Sequence, residues 1–554
     1  MLALSLHSIA AAEPAATPET AALTSRCAAL GDLSTNNGRV SGALLVAAGL
    51  YDPRRLPLPA DHGVMSGYPF EAPSFCRVRA TLTPSADSDV RMEIWLPAVG
   101  WNGKFMMVGN GGGRGEIFYS SMPGPLKRGY AVASTDTGHA GRDPKYRIGH
   151  PEKWTDFLWR GTHETVTFSK RIIEAFYARP PRFSFFDGCS AGGRQGLVEV
   201  QKFPSDFDGA IIGAPARGWG LQIQALWANR AAYPNGPAAV IGDREEAILH
   251  EAVLAQCDGL DGVRDDEIAD PRRCAFDPAS IACAENRSSD CLTPEQVEAA
   301  EKIYAPARDA RDGAIVSPGL PPGSEKTWGL VIGAPSDGPV LSSAFGAGWS
   351  ARSFDFGADI DRVYKSDPEL DVTTSFSAFK ARGGKIIQFH GWADPMVPSE
   401  DSINFYEAVA AKHGGLDETR TFYRLFMTPG MGHCSGGYDV DQSSTKWMVA
   451  LEQWVEQGAP PAKVVATRIV DGPAPWIPQR TEDSLARRGD LGERPICAYP
   501  AAAVFKGTGS SAVAENFECK VSPRGARASQ RTLAVTAQDQ LLRSARPGPR
   551  PWRR

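Results

Sequence analysis

Asp187-Gly188-Cys189-Ser190-Ala191-Gly192-Gly193-Arg194 is the most informative stretch of this 554-residue chain. Ahead of it, Phe183-Ser184-Phe185-Phe186 is a short aromatic run of buried-strand type. Behind it, Gln195 to Phe203 reads as a helix with Leu197, Val198 and Val200 on a core face. A G-x-S-x-G string between strand and helix predicts a sharp turn that lifts the Ser190 hydroxyl out of a sheet edge. The same turn sets the Ala191 N–H and the helix N-terminus where negative charge develops on a reacting carbonyl. The string alone is weak, because it should arise by chance roughly 0.4 times in a chain of this composition. Its setting makes Ser190 a candidate nucleophile.

A serine hydroxyl needs a base, and the base needs an acid to orient it. On a parallel α/β sheet these partners follow the serine in the order acid, then histidine, each just after a strand. Lys385-Ile386-Ile387-Gln388-Phe389-His390 reads as such a strand and leads into Gly391-Trp392-Ala393-Asp394-Pro395. A helix near Ser399 to Lys412 follows. The strand Thr421 to Phe426 then runs into Met427-Thr428-Pro429-Gly430-Met431-Gly432-His433-Cys434, ahead of a last helix over Lys446 to Gln457. Asp394 and His433 therefore have the required order and placement. His139 and His163 precede the nucleophile and His390 sits within a strand end, so all three read as core or supporting groups.

Upstream, Cys76 to Leu82 and Val90 to Leu96 alternate as antiparallel strands with one wet face. Lys104 to Val108 is a further strand entering Gly109-Asn110-Gly111-Gly112-Gly113-Arg114-Gly115. The cluster lacks the lysine and hydroxyl of a phosphate loop and the dinucleotide-binding spacing. After an early strand of a hydrolase sheet it can instead aim a backbone N–H, that of Gly111 or Gly112, at an oxyanion. Tyr130 to Ser134, a helix over Gly161 to Tyr177 and the strand Ala210 to Pro215 complete an α/β rhythm with a mainly parallel sheet.

The expected organisation is a truncated signal-like segment over 1–12, an N-terminal arm over 13–75 and a core in two parts, 76–215 and 372–519. Residues 216–371, where the rhythm lapses, read as an inserted lid, and 520–554 as a basic, disordered tail. The lid's Cys257-Asp258-Gly259-Leu260-Asp261-Gly262-Val263-Arg264-Asp265-Asp266-Glu267-Ile268 crowds carboxylates on a Gly-containing loop. Such hard oxygen ligands suit Ca²⁺, although the spacing is not that of an EF-hand.

A net charge of −5 gives no footprint for nucleic acid or an acidic membrane surface, and no apolar run approaches the length of a bilayer span. The ten cysteines, an even number, contain no C-x-x-C pair, which argues against a zinc ribbon or thioredoxin-type site. With the apolar N-terminus they point to disulfides in an oxidising compartment, hence a secreted or periplasmic protein. Spacing alone allows roughly 950 pairings. If Ser190 and His433 share a hydrogen bond, however, Cys189 and Cys434 lie within bridging distance. That bridge would close a loop of about 245 residues, worth about 5 kcal/mol in the chain-entropy model.

Four stretches carry a resemblance over about Cys27 to Cys519. They are Gly188-Cys189-Ser190-Ala191-Gly192-Gly193-Arg194-Gln195-Gly196-Leu197, Phe203-Pro204-Ser205-Asp206-Phe207-Asp208-Gly209, His390-Gly391-Trp392-Ala393-Asp394 and Pro429-Gly430-Met431-Gly432-His433-Cys434. In these the chain resembles the tannase and feruloyl esterase family, which implies an α/β-hydrolase fold with a large inserted lid. The resemblance implies Ser190 as nucleophile, His433 as base, Asp394 as orienter and a Cys189–Cys434 bridge. It further implies the pairs Cys27–Cys76, Cys257–Cys274, Cys283–Cys291 and Cys497–Cys519. It also implies a structural calcium ion held by Asp258, Asp261 and Asp265 with the carbonyls of Val263 and Glu267, and no organic cofactor.

The implied activity is hydrolysis of small aromatic esters, hydroxycinnamoyl or galloyl, whose alcohol side can be plant polysaccharide or polyphenol. Ala191 and Val397 stand where the family's terephthalate monoester hydrolase has Glu and Phe, which weakens the case for that substrate. A serine peptidase and a catalytically inactive polyphenol- or glycan-binding module are the other classes compatible with these motifs.

Overall fold

Ten strands form one sheet. In chain order they are β1 (Ser34–Thr35), β2 (Gly38–Val46), β3 (Phe75–Leu82), β4 (Val90–Pro97), β5 (Lys104–Val108), β6 (Ala131–Thr135), β7 (Phe183–Cys189), β8 (Gly209–Gly213), β9 (Lys385–Gly391) and β10 (Tyr423–Thr428). They lie side by side as β1-β2-β3-β4-β6-β5-β7-β8-β9-β10. Pairing is antiparallel from β1 to the β4–β6 contact and parallel from there to β10. The crossing of β5 and β6 and the parallel run that follows are the α/β-hydrolase arrangement. The computed structural model describes residues 18–52, 69–141, 144–235, 240–284, 290–333, 344–346, 349–367, 370–439, 445–469 and 492–521. The signal-like segment and residues 522–554 of the basic tail lie outside the described residues.

The parallel strands are apolar on both faces, as a sheet covered by helices on each side requires. Their period of two divides them between two cores. Phe186, Ala210, Ile212 and Ile386 pack in one, and Phe185, Ile211 and Ile387 in the other. Helices α1 (Gly161–Tyr177), α2 (Ala191–Lys202), α3 (Ser399–Lys412) and α4 (Thr445–Gln457) run between or after these strands. Because β5 through β10 point the same way, their C-terminal ends share one edge, and Gly109, Asp136, Ser190, Asp394 and His433 all follow strands there.

The structure extends the sequence reading in three places. The N-terminal arm contributes strands: β2 pairs with β3 from Gly38↔Leu82 to Val46↔Phe75, with an irregularity between Val40 and Gly42. Its Gly- and Ala-rich sequence and irregular exposure hide the alternation that marks β3 and β4. The insertion between β8 and β9 contains helices at Gly220–Ala232, Asp243–Cys257, Pro294–Tyr304 and Ala358–Ser366. It buries an apolar cluster of its own around Leu249, Leu292, Ile303 and Trp328, and shares a second, around Trp219, Phe354, Ile360 and Tyr364, with Phe157 and Leu158 from the segment between β6 and β7. The C-terminal part adds two small antiparallel sheets, of Gly437–Asp439, Lys463–Ile469 and Glu493–Cys497 and of Ala501–Phe505 with Phe517–Val521.

All ten cysteines are paired, as Cys27–Cys76, Cys189–Cys434, Cys257–Cys274, Cys283–Cys291 and Cys497–Cys519. No helix among the described residues is long and apolar enough to cross a membrane.

Candidate active site

β7 continues to Cys189, three residues beyond the aromatic run, and α2 begins at Ala191, so Ser190 alone makes the turn. Its backbone sits at φ 63° and ψ −124°, a conformation that L-residues rarely adopt and that costs on the order of 1–3 kcal/mol. The turn is held from both sides. Ser190 N–H donates to Gly213 O at 3.0 Å, and Ser190 O accepts from Arg194 N and Ala216 N at 3.0 and 2.9 Å. The side chain is left partly exposed at the head of a helix.

Asp394 and His433 stand on the loops that follow β9 and β10. Those loops are joined where Trp392 N–H donates to Thr428 O and Ala393 N–H to Met431 O, both at 2.9 Å. His433 Nδ1 donates to Asp394 Oδ2 at 2.7 Å. Asp394 is fully buried, and its Oδ1 accepts from the Met396 and Val397 N–H groups at 2.8 and 3.0 Å. Burial alone would push this carboxyl up. The facing imidazoles of His433 and His390, with the hydrogen bonds they donate, hold it well below the usual carboxylate range. His433 is 8% exposed and is followed by Cys434, which is bonded to Cys189 with 6.1 Å between the Cα atoms. Nucleophile and base candidates, 243 positions apart, thus flank one disulfide.

The glycine cluster lies beside the head of α2. Gly192 has no room for a side chain there, since an added Cβ would meet Asn110 O at 2.7 Å. Gln195 of α2 takes the Asn110 N–H on Oε1 at 3.0 Å and donates from Nε2 to Asn110 Oδ1 at 3.3 Å. Asn110 Nδ2 in turn donates to Thr135 O and Glu116 O at 2.7 and 2.8 Å. Further along, His139 Nε2 donates to Gly113 O at 3.1 Å. The Asn110 N–H is therefore occupied, while partly exposed Gly111 and exposed Gly112, at φ +60°, are the next positions of the loop.

The acidic loop over 257–268 meets the core near His433. An added Cβ at Gly430, three residues before His433, would meet Glu267 Oε2 at 1.5 Å. Asp261 and Asp265 pair with buried Arg494 at 3.0 and 2.9 Å, and Tyr438 O–H donates to Asp265 Oδ2 at 2.8 Å. Asp258 accepts the Asp265 and Asp266 N–H groups at 3.1 and 3.2 Å. Burial and neighbouring carboxylates push the Asp258 and Asp261 carboxyls up. Asp265 Oδ1 is buried with no hydrogen bond, whereas Asp261 Oδ2 faces the Arg494 guanidinium. A buried carboxylate oxygen lacking a donor is what a hard cation takes as a ligand, so Asp265 fits one.

Among the described residues, the group whose ligand atoms all lie within 4.8 Å of one another, and so could hold a metal ion, is His163, Glu199 and Asp206, not the three aspartates of the acidic loop. His163 Nδ1 already bonds Asp206 Oδ2 at 2.7 Å, and the Lys170 ammonium lies 3.9 Å from Asp206 Oδ1.

The structure thus gathers Ser190, Ala191, the glycine loop, Asp394 and His433 at one sheet edge and sets the acidic loop against the His433 loop. Sequence reasoning missed the tie between Gln195 and Asn110, whose only signal was that Gln195 follows the elbow at helical spacing. It also left open what His390 touches: its Nε2 lies 3.2 Å from Asp394 Oδ2.

The family model described as tannase and feruloyl esterase matches residues 76–333 and 350–520. An uncharacterized esterase of Xanthomonas campestris pv. campestris is 34% identical, over 92% of this chain and 93% of its own length. A protein of Aspergillus flavus named "Probable feruloyl esterase B-2" is 33% identical over 72% of this chain and 80% of its own. The crystal structure of feruloyl esterase B from Aspergillus oryzae superposes with a TM-score of 0.79 at 26% identity. It covers 90% of this chain and all of that one.

Proposed function

The chain belongs to the tannase and feruloyl esterase family, and from that premise we propose that it is a serine esterase of aromatic carboxylic esters working through an acyl-enzyme. The observation that carries the reading is the junction at Cys189–Cys434, which flanks Ser190 on one side and the His433–Asp394 pair on the other. Ser190 Oγ attacks the ester carbonyl while His433 accepts its proton. Asp394, held ionised, fixes the imidazole and stabilises its charged form. The N–H of Ala191 and that of Gly111 or Gly112 receive the oxyanion, a contribution of about 3 kcal/mol or more per donor. His433 then returns the proton to the leaving alcohol, and water releases the acid by the same route.

The acyl group is proposed to be hydroxycinnamoyl or galloyl, as the names in the family suggest, on an alcohol that can belong to plant polysaccharide or polyphenol. The insertion between β8 and β9 is proposed as the lid that covers it. The acidic loop is proposed to hold a structural Ca²⁺ through the side chains of Asp258, Asp261 and Asp265 and the carbonyls of Val263 and Glu267. Charge neutralisation there would brace the segment that packs on Gly430. Five disulfides support a secreted or periplasmic location.

The test is a panel of methyl ferulate, methyl caffeate, methyl gallate and a terephthalate monoester, with methyl cinnamate against its amide. The reading expects turnover of the phenolic esters, loss of it in Ser190→Ala and no amide cleavage. Turnover by Ser190→Ala would reject the serine assignment, and preferred amide cleavage would favour a peptidase.

A further inference from the structure

His390 lies at the end of β9, fully buried, four residues before Asp394. Its two ring nitrogens face different partners. Nε2 is 2.9 Å from Val397 O and 3.2 Å from Asp394 Oδ2, and Nδ1 is 2.6 Å from Ser402 Oγ. A backbone carbonyl can only accept, so Nε2 carries a proton. That N–H donates to Val397 O, and Asp394 Oδ2 lies within ion-pair distance of the same nitrogen.

The other side of the ring is equally constrained. Ser402 Oγ receives the Gln388 Nε2–H at 2.6 Å, which leaves the serine's own proton for His390 Nδ1. Gln388 is oriented in turn by Tyr423, whose hydroxyl donates to Gln388 Oε1. His390, Gln388 and Ser402 all have no solvent exposure, and Tyr423 is equally buried. The titratable groups around the ring are Asp394, with His433 beyond it, and Tyr423 behind Gln388.

Asp394 thus accepts two backbone N–H groups on Oδ1 and His433 on Oδ2, with His390 Nε2 a further 3.2 Å contact to Oδ2. We propose that His390 is a positioning residue for the triad, its Nε2–H attracting Oδ2 from a second side and so holding the carboxylate in the orientation that His433 Nδ1–H requires. Without it Oδ2 is held by His433 alone, and the carboxylate can turn about its remaining contacts. The inference rests on the triad reading given above.

Two amide substitutions separate this role from packing. His390→Gln places an N–H near the Nε2 position, whereas His390→Asn places its amide near Nδ1, keeping Ser402 but leaving Asp394 unserved. With p-nitrophenyl butyrate as substrate, His390→Asn is expected to lower kcat roughly tenfold or more at unchanged KM. His390→Gln should recover most of kcat. Ser402→Ala, which leaves the ring in place and frees its Nδ1 side, should lower kcat several-fold at unchanged KM. Equal kcat in His390→Asn and His390→Gln would overturn the proposal. If neither variant folds, wild-type kcat in Ser402→Ala overturns it. Ser190→Ala, run alongside, keeps the outcomes distinct: residual turnover there rejects the triad itself, not the role of His390.

Discussion

Cys189 and Cys434 are bonded across 245 residues of chain, each adjacent to a residue of the candidate triad. The bridge joins the elbow after β7 to the loop after β10, so it limits how far His433 can move from Ser190. Only two of the three triad residues lie on linked loops without it: Asp394 and His433, through the backbone bonds of Trp392 and Ala393.

Replacing both cysteines with alanine is therefore expected to affect turnover more than fold. The chain-entropy estimate of about 5 kcal/mol is an upper figure for stability, and four other bridges remain. The double variant should stay folded by circular dichroism yet lose about tenfold or more in kcat, since small misplacements of catalytic groups are costly. Wild-type turnover in a folded double variant would show that the bridge plays no part in placing His433.

Gln195 offers a test of the glycine loop. Its amide holds Asn110 by both the backbone N–H and the side chain, immediately ahead of Gly111 and Gly112. Gln195→Ala should lower kcat by about 10²-fold, the scale of one oxyanion donor, with little change in KM. A variant that raises KM and spares kcat would move the oxyanion site away from this loop.

How far the sequence revealed the site follows from where each residue lies. The placement of Ser190, Asp394 and His433 at one sheet edge was legible because β7, β9 and β10 are short, mostly apolar runs that end in Gly-containing turns. β2 was not, since its Arg39-Val40-Ser41-Gly42-Ala43 segment is small, polar and interrupted by an irregular pairing. The insertion was legible as an interruption but not as helices, because short helical and 3₁₀ segments alternate there with Pro-, Gly- and Asp-rich loops. Buried Arg494, with Asp261 and Asp265 as partners, joins residues more than 200 positions apart. No local periodicity reports such a contact.

His139 gives a pH test with a defined sign. Burial pulls its imidazole down to about 4 from an ordinary 6.5, against the smaller opposing pull of the Gly113 carbonyl. Between those values the unfolded chain binds a proton that the native protein refuses, so this residue's contribution to stability falls as pH falls from 6.5 toward 4. Buried Asp136, pushed up to about 8, acts with the opposite sign over an overlapping range, so the informative quantity is a difference. The Tm of wild type minus that of His139→Gln should decrease steadily from pH 7 to pH 4.5. A flat difference would mean that the His139 imidazole stays accessible to protons in the folded state.

Chelation tests the acidic loop. Saturation to 100 times Kd by an ion that binds only the native state adds about 2.7 kcal/mol. EGTA should accordingly lower the Tm by a few degrees, with recovery on adding Ca²⁺ and none in Asp261→Asn. A Tm indifferent to EGTA and Ca²⁺ would leave Arg494 and Arg468, rather than a bound ion, as counter-charges of the loop.

Covalent trapping of the nucleophile bears most directly on the whole account. The protein, treated with an aryl-ester-mimicking fluorophosphonate, should lose esterase activity in step with one adduct, found by peptide mass spectrometry on Ser190. Ser190→Ala should take up none. An adduct at another residue, or full esterase activity with Ser190 fully modified, would contradict the assignment of this serine as the group that attacks the ester.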